Sequence, residues 1–139
     1  MEQAEAAASP LELINAPDLT APLGHYSHVS IANGMAYISG QLPINHDGEP
    51  VTSSSFQDQV LQTLANLDAC LASAGLHRSH LLQVRVYVTD IADWSIFDEI
   101  YSAWIGDHRP ARAVAGVKEL HYGAAVEVEA VALTASTSH

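Results

Sequence analysis

Residues 82–89 read LQVRVYVT. Leu82, Val84, Val86 and Val88 alternate with Gln83, Arg85, Tyr87 and Thr89, the two-residue period of a strand with one buried face. Helical patterns flank it on both sides. Upstream, Phe56, Val60, Leu64, Leu67 and Leu71 recur at three- and four-residue steps along one stripe. Ser54 and Gln57 have capping-box spacing ahead of that stripe, and Gly75 stands where a left-handed residue closes a helix. Cys70 belongs to the filling of this helix, because nothing near it in sequence would lower a thiol pKa. Downstream, Asp93 is placed to cap a second helix carrying Trp94, Phe97, Ile100, Tyr101, Trp104 and Ile105, which Gly106 and Pro110 end.

Further out, residues 25–32 and 35–42 read as short strands joined at Asn33-Gly34, the strongest short-range hairpin signal. Residues 43–53, rich in Pro, Asn, Asp and Gly, form a loop before the first helix. At the other end, residues 111–118 and 124–134 read as two more strands separated by a loop around residues 121–123. The order is ββαβαββ. It predicts an α+β layer, two helices on one face of a mixed, mostly antiparallel sheet. Residues 13–134 make a single domain, with a loose leader at 1–12 and a polar tail at 135–139.

The sheet's second face carries an expectation of its own. If Val126, Val128, Ala130 and Ala132 meet the helices, Glu127, Glu129, Val131 and Leu133 point away, and we expect Tyr37, Tyr87 and Val114 to join them. Such a face is too apolar for open water and too charged for a monomer's core. An oligomer whose sheets pack face to face resolves the conflict.

Charge excludes one class of partner. Sixteen acids face only Arg78, Arg85, Arg109, Arg112 and Lys118, a formal net charge of −11. Five scattered cations cannot neutralise a run of phosphates, so nucleic acid is not expected as a partner. The leader MEQAEAAASP has acids where a signal peptide has Lys or Arg, and no apolar run approaches the roughly 20 residues of a membrane span. With one cysteine no intramolecular disulfide forms. These features point to a soluble cytoplasmic protein.

Residues 109–114 (RPARAV) followed by 126–130 (VEVEA) resemble the closing signature of the RidA/YjgF family. Gly24-His25-Tyr26 is similar to that family's G-x-Y element, and Ser39-Gly40-Gln41-Leu42-Pro43 to its S-G-Q-[IL]-P element. The four occur in the family's order across residues 13–133. The resemblance implies a chorismate-mutase-like fold, a homotrimer with clefts between subunits, and hydrolytic deamination of small reactive imino or enamino acids such as 2-iminopropanoate and 2-aminoacrylate. It further implies that Arg112 binds the substrate carboxylate, Glu127 orients the attacking water, Tyr26 lines the cleft, and backbone near Gly40 and Val114 contacts substrate and water. No metal or organic cofactor is implied.

These roles make physical sense. A planar guanidinium offers a carboxylate two parallel donors. An imine carbon is already electrophilic, so a positioned water and a carboxylate to take its proton suffice. The competing reading of Arg112 is a structural ion pair with Glu127 or Glu129, which the P-A-R context outweighs; Glu129 itself is read as structural. Tyr26 alone would be read as packing, and Ser39 has no base beside it. His25-x-x-His28 on a strand would point its rings to opposite faces, and His77-x-x-His80 falls in a turn, so a zinc site is not expected.

Two positions depart from the family pattern: Val114 stands where biosynthetic members often have cysteine, and Asp98 where many have asparagine. The short connection at 105–110 (IGDHRP) looks like the branch handling 3-aminoacrylate, or the 2-aminomuconate deaminases. The alternative function is a non-catalytic trimer that binds small carboxylates as a sensor or docking module. A simple hairpin of the last two strands would pair Arg112 near Ala130, roughly 10 Å along the strand from Glu127. Either another strand intervenes or the cleft is completed across a subunit boundary.

Overall fold

A computed structural model describes residues 10–134. The elements are β1 (Glu12–Ile14), β2 (Val29–Ala32), β3 (Met35–Gln41), α1 (Phe56–Ser73), β4 (Leu81–Val88), α2 (Trp94–Ile105), β5 (Ala111–Gly116) and β6 (Val126–Leu133). They build one six-stranded sheet in the order β1-β2-β3-β6-β4-β5. Only β4 and β5 run parallel; the other neighbours are antiparallel. Both helices cover one face, as expected of the ββαβαββ pattern. Among the described residues no helix is long and apolar enough to cross a membrane.

The strongest local signals hold. Asn33 and Gly34 both take positive φ, 54° and 79°, as a type I′ turn requires, and Ala32 pairs with Met35 across it. The α1 stripe of Val60, Leu64, Leu67 and Leu71 is buried against Ala36 and Ile38 of β3 and Val126 and Val128 of β6, in one core with Val84, Val86 and Val88 of β4. Gly75 follows α1 at φ 73°. Cys70 is buried in the core, and burial pushes its thiol pKa up to about 12.

The differences have physical causes. Strand β1, not expected from sequence, is three residues long, too short for any periodicity to show. Side chains hold it instead: His28 Nδ1 accepts from Ala16 N (3.0 Å), and Asn15 Oδ1 accepts from His28 N (3.1 Å). His28 is thereby a buried structural acceptor, and residues 25–28 form loop rather than the start of β2. In β4 the pairing with β6 shifts between Leu81 and Gln83, so Leu81 is the core residue at 2% exposure while Leu82 is turned out at 44%. Ser55, not Ser54, caps α1 by accepting from Asp58 N. Asp93 makes no capping bond; Asp90 accepts from Ala92 N and opens a 3-10 turn (Ile91–Asp93) that runs into α2.

One expectation about the second face is overturned. Val114 aligns with Val86 and packs toward the helices, because it shares the parity of Arg112 along β5. The β5 residues facing away are Ala113 and Ala115, aligned with Arg85 and Tyr87. Tyr37 does lie on the second face, about half exposed, with Leu13 and Val131 in its row.

The two helices are tied at their far ends. Asp68 of α1 receives Arg78 Nε (2.9 Å), Arg78 NH2 (2.8 Å) and Trp104 Nε1 of α2 (3.0 Å). The Arg78 guanidinium lies 4.6 Å from the Trp104 ring centroid and also donates to the Trp104 carbonyl.

Candidate active site

Glu127 sits on β6 opposite Tyr87, on the face away from the helices. Next to it, the β3–β6 register slips between Ile38 and Gln41, which lifts Ser39 and Gly40 out of regular pairing. The slip brings the Gly40 backbone against the Glu127 carboxylate: a Cβ at Gly40 would collide with Glu127 Oε2. A side chain at position 40 would push the Glu127 carboxylate aside, so glycine leaves that carboxylate in its place; the constraint comes from this approach and not from the φ angle. Ser39 is occupied structurally, donating from Oγ to the Ser27 carbonyl at 2.7 Å.

Around this carboxylate opens a cleft of about 470 Å³, walled by Tyr26, Ser39, Gly40, His121 and Tyr122. Burial raises the Glu127 pKa; nearby His121 opposes the shift and Glu129 adds to it. Tyr122 is held at φ 62°, a left-handed conformation unusual for an aromatic residue. No Lys or Arg lines the cleft. It can hold and activate a water molecule, but it lacks a cation to grip an acid.

The cation is elsewhere. Arg112 on β5 aligns with Val84, which aligns with Ala130 of β6, so β4 intervenes between the arginine strand and the glutamate strand. Its side chain lies on the helix side, opposite to Glu127. There NH1 donates to Asp98 Oδ1 of α2 at 2.7 Å, and the guanidinium carbon stands 4.9 Å from the Tyr101 ring centroid. Neither Glu127 nor Glu129 is its partner; Glu129 pairs with Arg85 at 2.9 Å. Beside Arg112 a second cleft of about 400 Å³ opens between α2 and the 105–110 connection, lined by Asp98, Tyr101, Ser102, His108 and Arg109.

One chain therefore brings together Glu127, Gly40 and Tyr26, and holds Arg112 apart from them at the open edge of the sheet. Val114 lines neither cleft. His121 and Tyr122 join the cleft without a sequence motif that marks them. Their signal is faint in sequence, an aromatic pair just ahead of the closing strand, and only the fold bends that turn over Glu127.

This fold, with a half-buried acid in one cleft and an arginine in another, defines a class of small two-layer α+β proteins. The chain belongs to the YjgF/RidA family: residues 14–134 match the family model described as Endoribonuclease L-PSP. A RutC family protein of Aquifex aeolicus is 40% identical over 122 residues, covering 86% of this chain and 97% of that protein. RidA from an Antarctic Psychrobacter has a similar structure, with TM-score 0.83 and 28% identity over 88% of this chain and 98% of its own. Escherichia coli TdcF with bound serine is similar at TM-score 0.83 and 26% identity, over 89% of this chain and 99% of that one.

Proposed function

We propose that the protein hydrolyses small reactive imino or enamino acids to the oxo acid and ammonia, acting in the cytoplasm as a homotrimer. In each active site Arg112 of one subunit faces the Glu127 cleft of its neighbour. The observation that carries this reading is the split within one chain: a water-activating carboxylate in a cleft with no Lys or Arg, and a guanidinium beside a second cleft at a strand edge. Joining two copies completes both. The half-exposed Tyr37 and the apolar row beside it supply surface for that contact. Bound serine in the similar TdcF structure is an amino acid, the chemical relative of an imino acid, and agrees with a site that reads a carboxylate and a nitrogen.

In this scheme the substrate carboxylate docks on the open edge of the Arg112 guanidinium, fixing the imine carbon toward the neighbouring cleft. Glu127 takes a proton from a water as its oxygen adds to that carbon. The protonated Glu127 then returns its proton to the carbinolamine nitrogen, and as the C–N bond breaks the carboxylate takes the hydroxyl proton, so that ammonia leaves and the oxo acid remains. Tyr26 walls the cleft, and the Gly40 backbone is close enough to the carboxylate to share in holding the water. Val114, its side chain packed against the core, contributes through the backbone of the edge strand. No residue nucleophile and no cofactor enters these steps.

The family description as an endoribonuclease suggests a second reading, which the charge does not favour: −11 overall, with three of the four arginines already ion-paired. The test is ammonia release from 2-iminopropanoate or 2-aminoacrylate generated in situ. Arg112→Ala is expected to lower turnover at least a hundredfold with oligomeric state unchanged, the size of effect a lost orienting clamp produces. Unaltered turnover refutes the clamp. Tight oxo-acid binding without rate enhancement in the wild type would instead identify a carboxylate-binding trimer.

A further inference from the structure

Three of the four arginines are neutralised by an acid: Arg78 by Asp68, Arg85 by Glu129 and Arg112 by Asp98. The third pair differs in its setting. Arg78–Asp68 also fixes Trp104, and Arg85–Glu129 bridges two strands, whereas Arg112–Asp98 lines an open cleft. The contact is single-pronged, NH1 to Oδ1 at 2.7 Å. Among the described residues Nε and NH2 have no protein partner, so the guanidinium keeps an open edge. The Asp98 side chain stays 39% exposed. Tyr101 lies under the guanidinium, and its buried hydroxyl has no hydrogen-bond partner.

We propose that Arg112 and Asp98 together form a zwitterion receptor: Arg112 takes the substrate's carboxylate and Asp98 the cationic nitrogen on the adjacent carbon. The proposal rests on the reading of Arg112 as carboxylate clamp and deepens it by giving Asp98 a role in discriminating between ligands of that site. A plain monoanion meets a pair whose net charge is already zero, and its carboxylate stands next to that of Asp98. Like charges so placed repel, and a partly dry cleft screens them poorly. A protonated imino acid brings its own positive charge, which Asp98 accepts, while its carboxylate uses the free edge of the fork. The 1,2-relation of carboxylate and nitrogen in such an acid matches two charged groups already in contact. Hydrolysis removes the nitrogen and leaves an oxo acid, the ligand the pair holds less well. Asp98 thus selects substrate over product and favours product release.

Calorimetry on the full-length protein at neutral pH, with L-alanine as stable zwitterion and pyruvate as plain oxo acid, tests this directly. The wild type is expected to bind alanine more tightly than pyruvate. Asp98→Asn keeps the side chain's shape and removes its charge, and is expected to shift the alanine-to-pyruvate preference at least tenfold toward pyruvate, the loss of roughly one charge contact. Arg112→Ala separates the two readings. If it leaves both affinities untouched, the clamp fails and the receptor with it. If it abolishes both while Asp98→Asn leaves the preference unchanged, the clamp stands and the Asp98 role is refuted. A wild type that prefers pyruvate, or does not bind alanine, also overturns the receptor.

Discussion

Glu127 shows how a cleft carboxylate works against the fold that holds it. Burial raises its pKa, so the folded chain favours the neutral form more than the unfolded chain does. The sign follows by linkage: this group's stabilising contribution is complete below the unfolded pKa and is lost as pH rises through the raised folded value. At neutral pH the charged carboxylate is a burden on stability. Glu127→Gln is therefore expected to lower ammonia release by about two to four orders of magnitude, the usual worth of a general base, with no fall in the thermal midpoint at pH 7. In the wild type the rate should drop on acidification at a pH above the ordinary carboxylate range. An inflection at or below that range in the rate–pH profile would show that Glu127 is not the base. That Glu127 faces away from the helices was legible from the alternation along β6, as Cys70's burial was from the α1 stripe. The Arg112–Asp98 contact was not, since no local pattern reports which helix residue stands over which edge strand.

At the scale of elements, the tie between α1 and α2 is concentrated in one side chain. Asp68→Ala removes three hydrogen bonds and leaves Arg78 and Trp104 Nε1 without their acceptor. Because the pair is partly exposed, the expected cost is about 1–2 kcal/mol, measured as a lower denaturant midpoint with unchanged slope. A loss within error would mean that core burial alone sets the helix packing. The two helices and the Asn33-Gly34 hairpin were legible because each repeats its signal over many residues or needs a specific turn chemistry. Strand β1 and the Leu81–Gln83 slip were not. A three-residue strand held by Asn15 and His28 has no period, and a bulge exchanges Leu81 for Leu82 in the core without altering composition.

For the whole molecule, the separation of Arg112 from Glu127 by strand β4 makes a prediction that no single-chain site shares. Arg112→Ala and Glu127→Gln are each expected to be inactive. If the protein is the proposed homotrimer, dissociating the two variants, mixing them equally and reassembling them gives every mixed trimer one site joining an intact arginine to an intact glutamate. Random mixing then restores about a quarter of wild-type turnover, by counting subunit arrangements around a three-fold axis. No recovery after verified subunit exchange would place the complete site within one chain. The amino-acid sequence by itself determined the layer architecture and the faces of the helices, because periodicity, turn chemistry and local motifs are short-range properties. Only the tertiary structure decided that β4 lies between β5 and β6, that Val114 faces the core, and that Asp98 holds Arg112. Strand order and cross-element contact depend on which distant segments meet, and nothing in the local spacing of residues encodes that meeting.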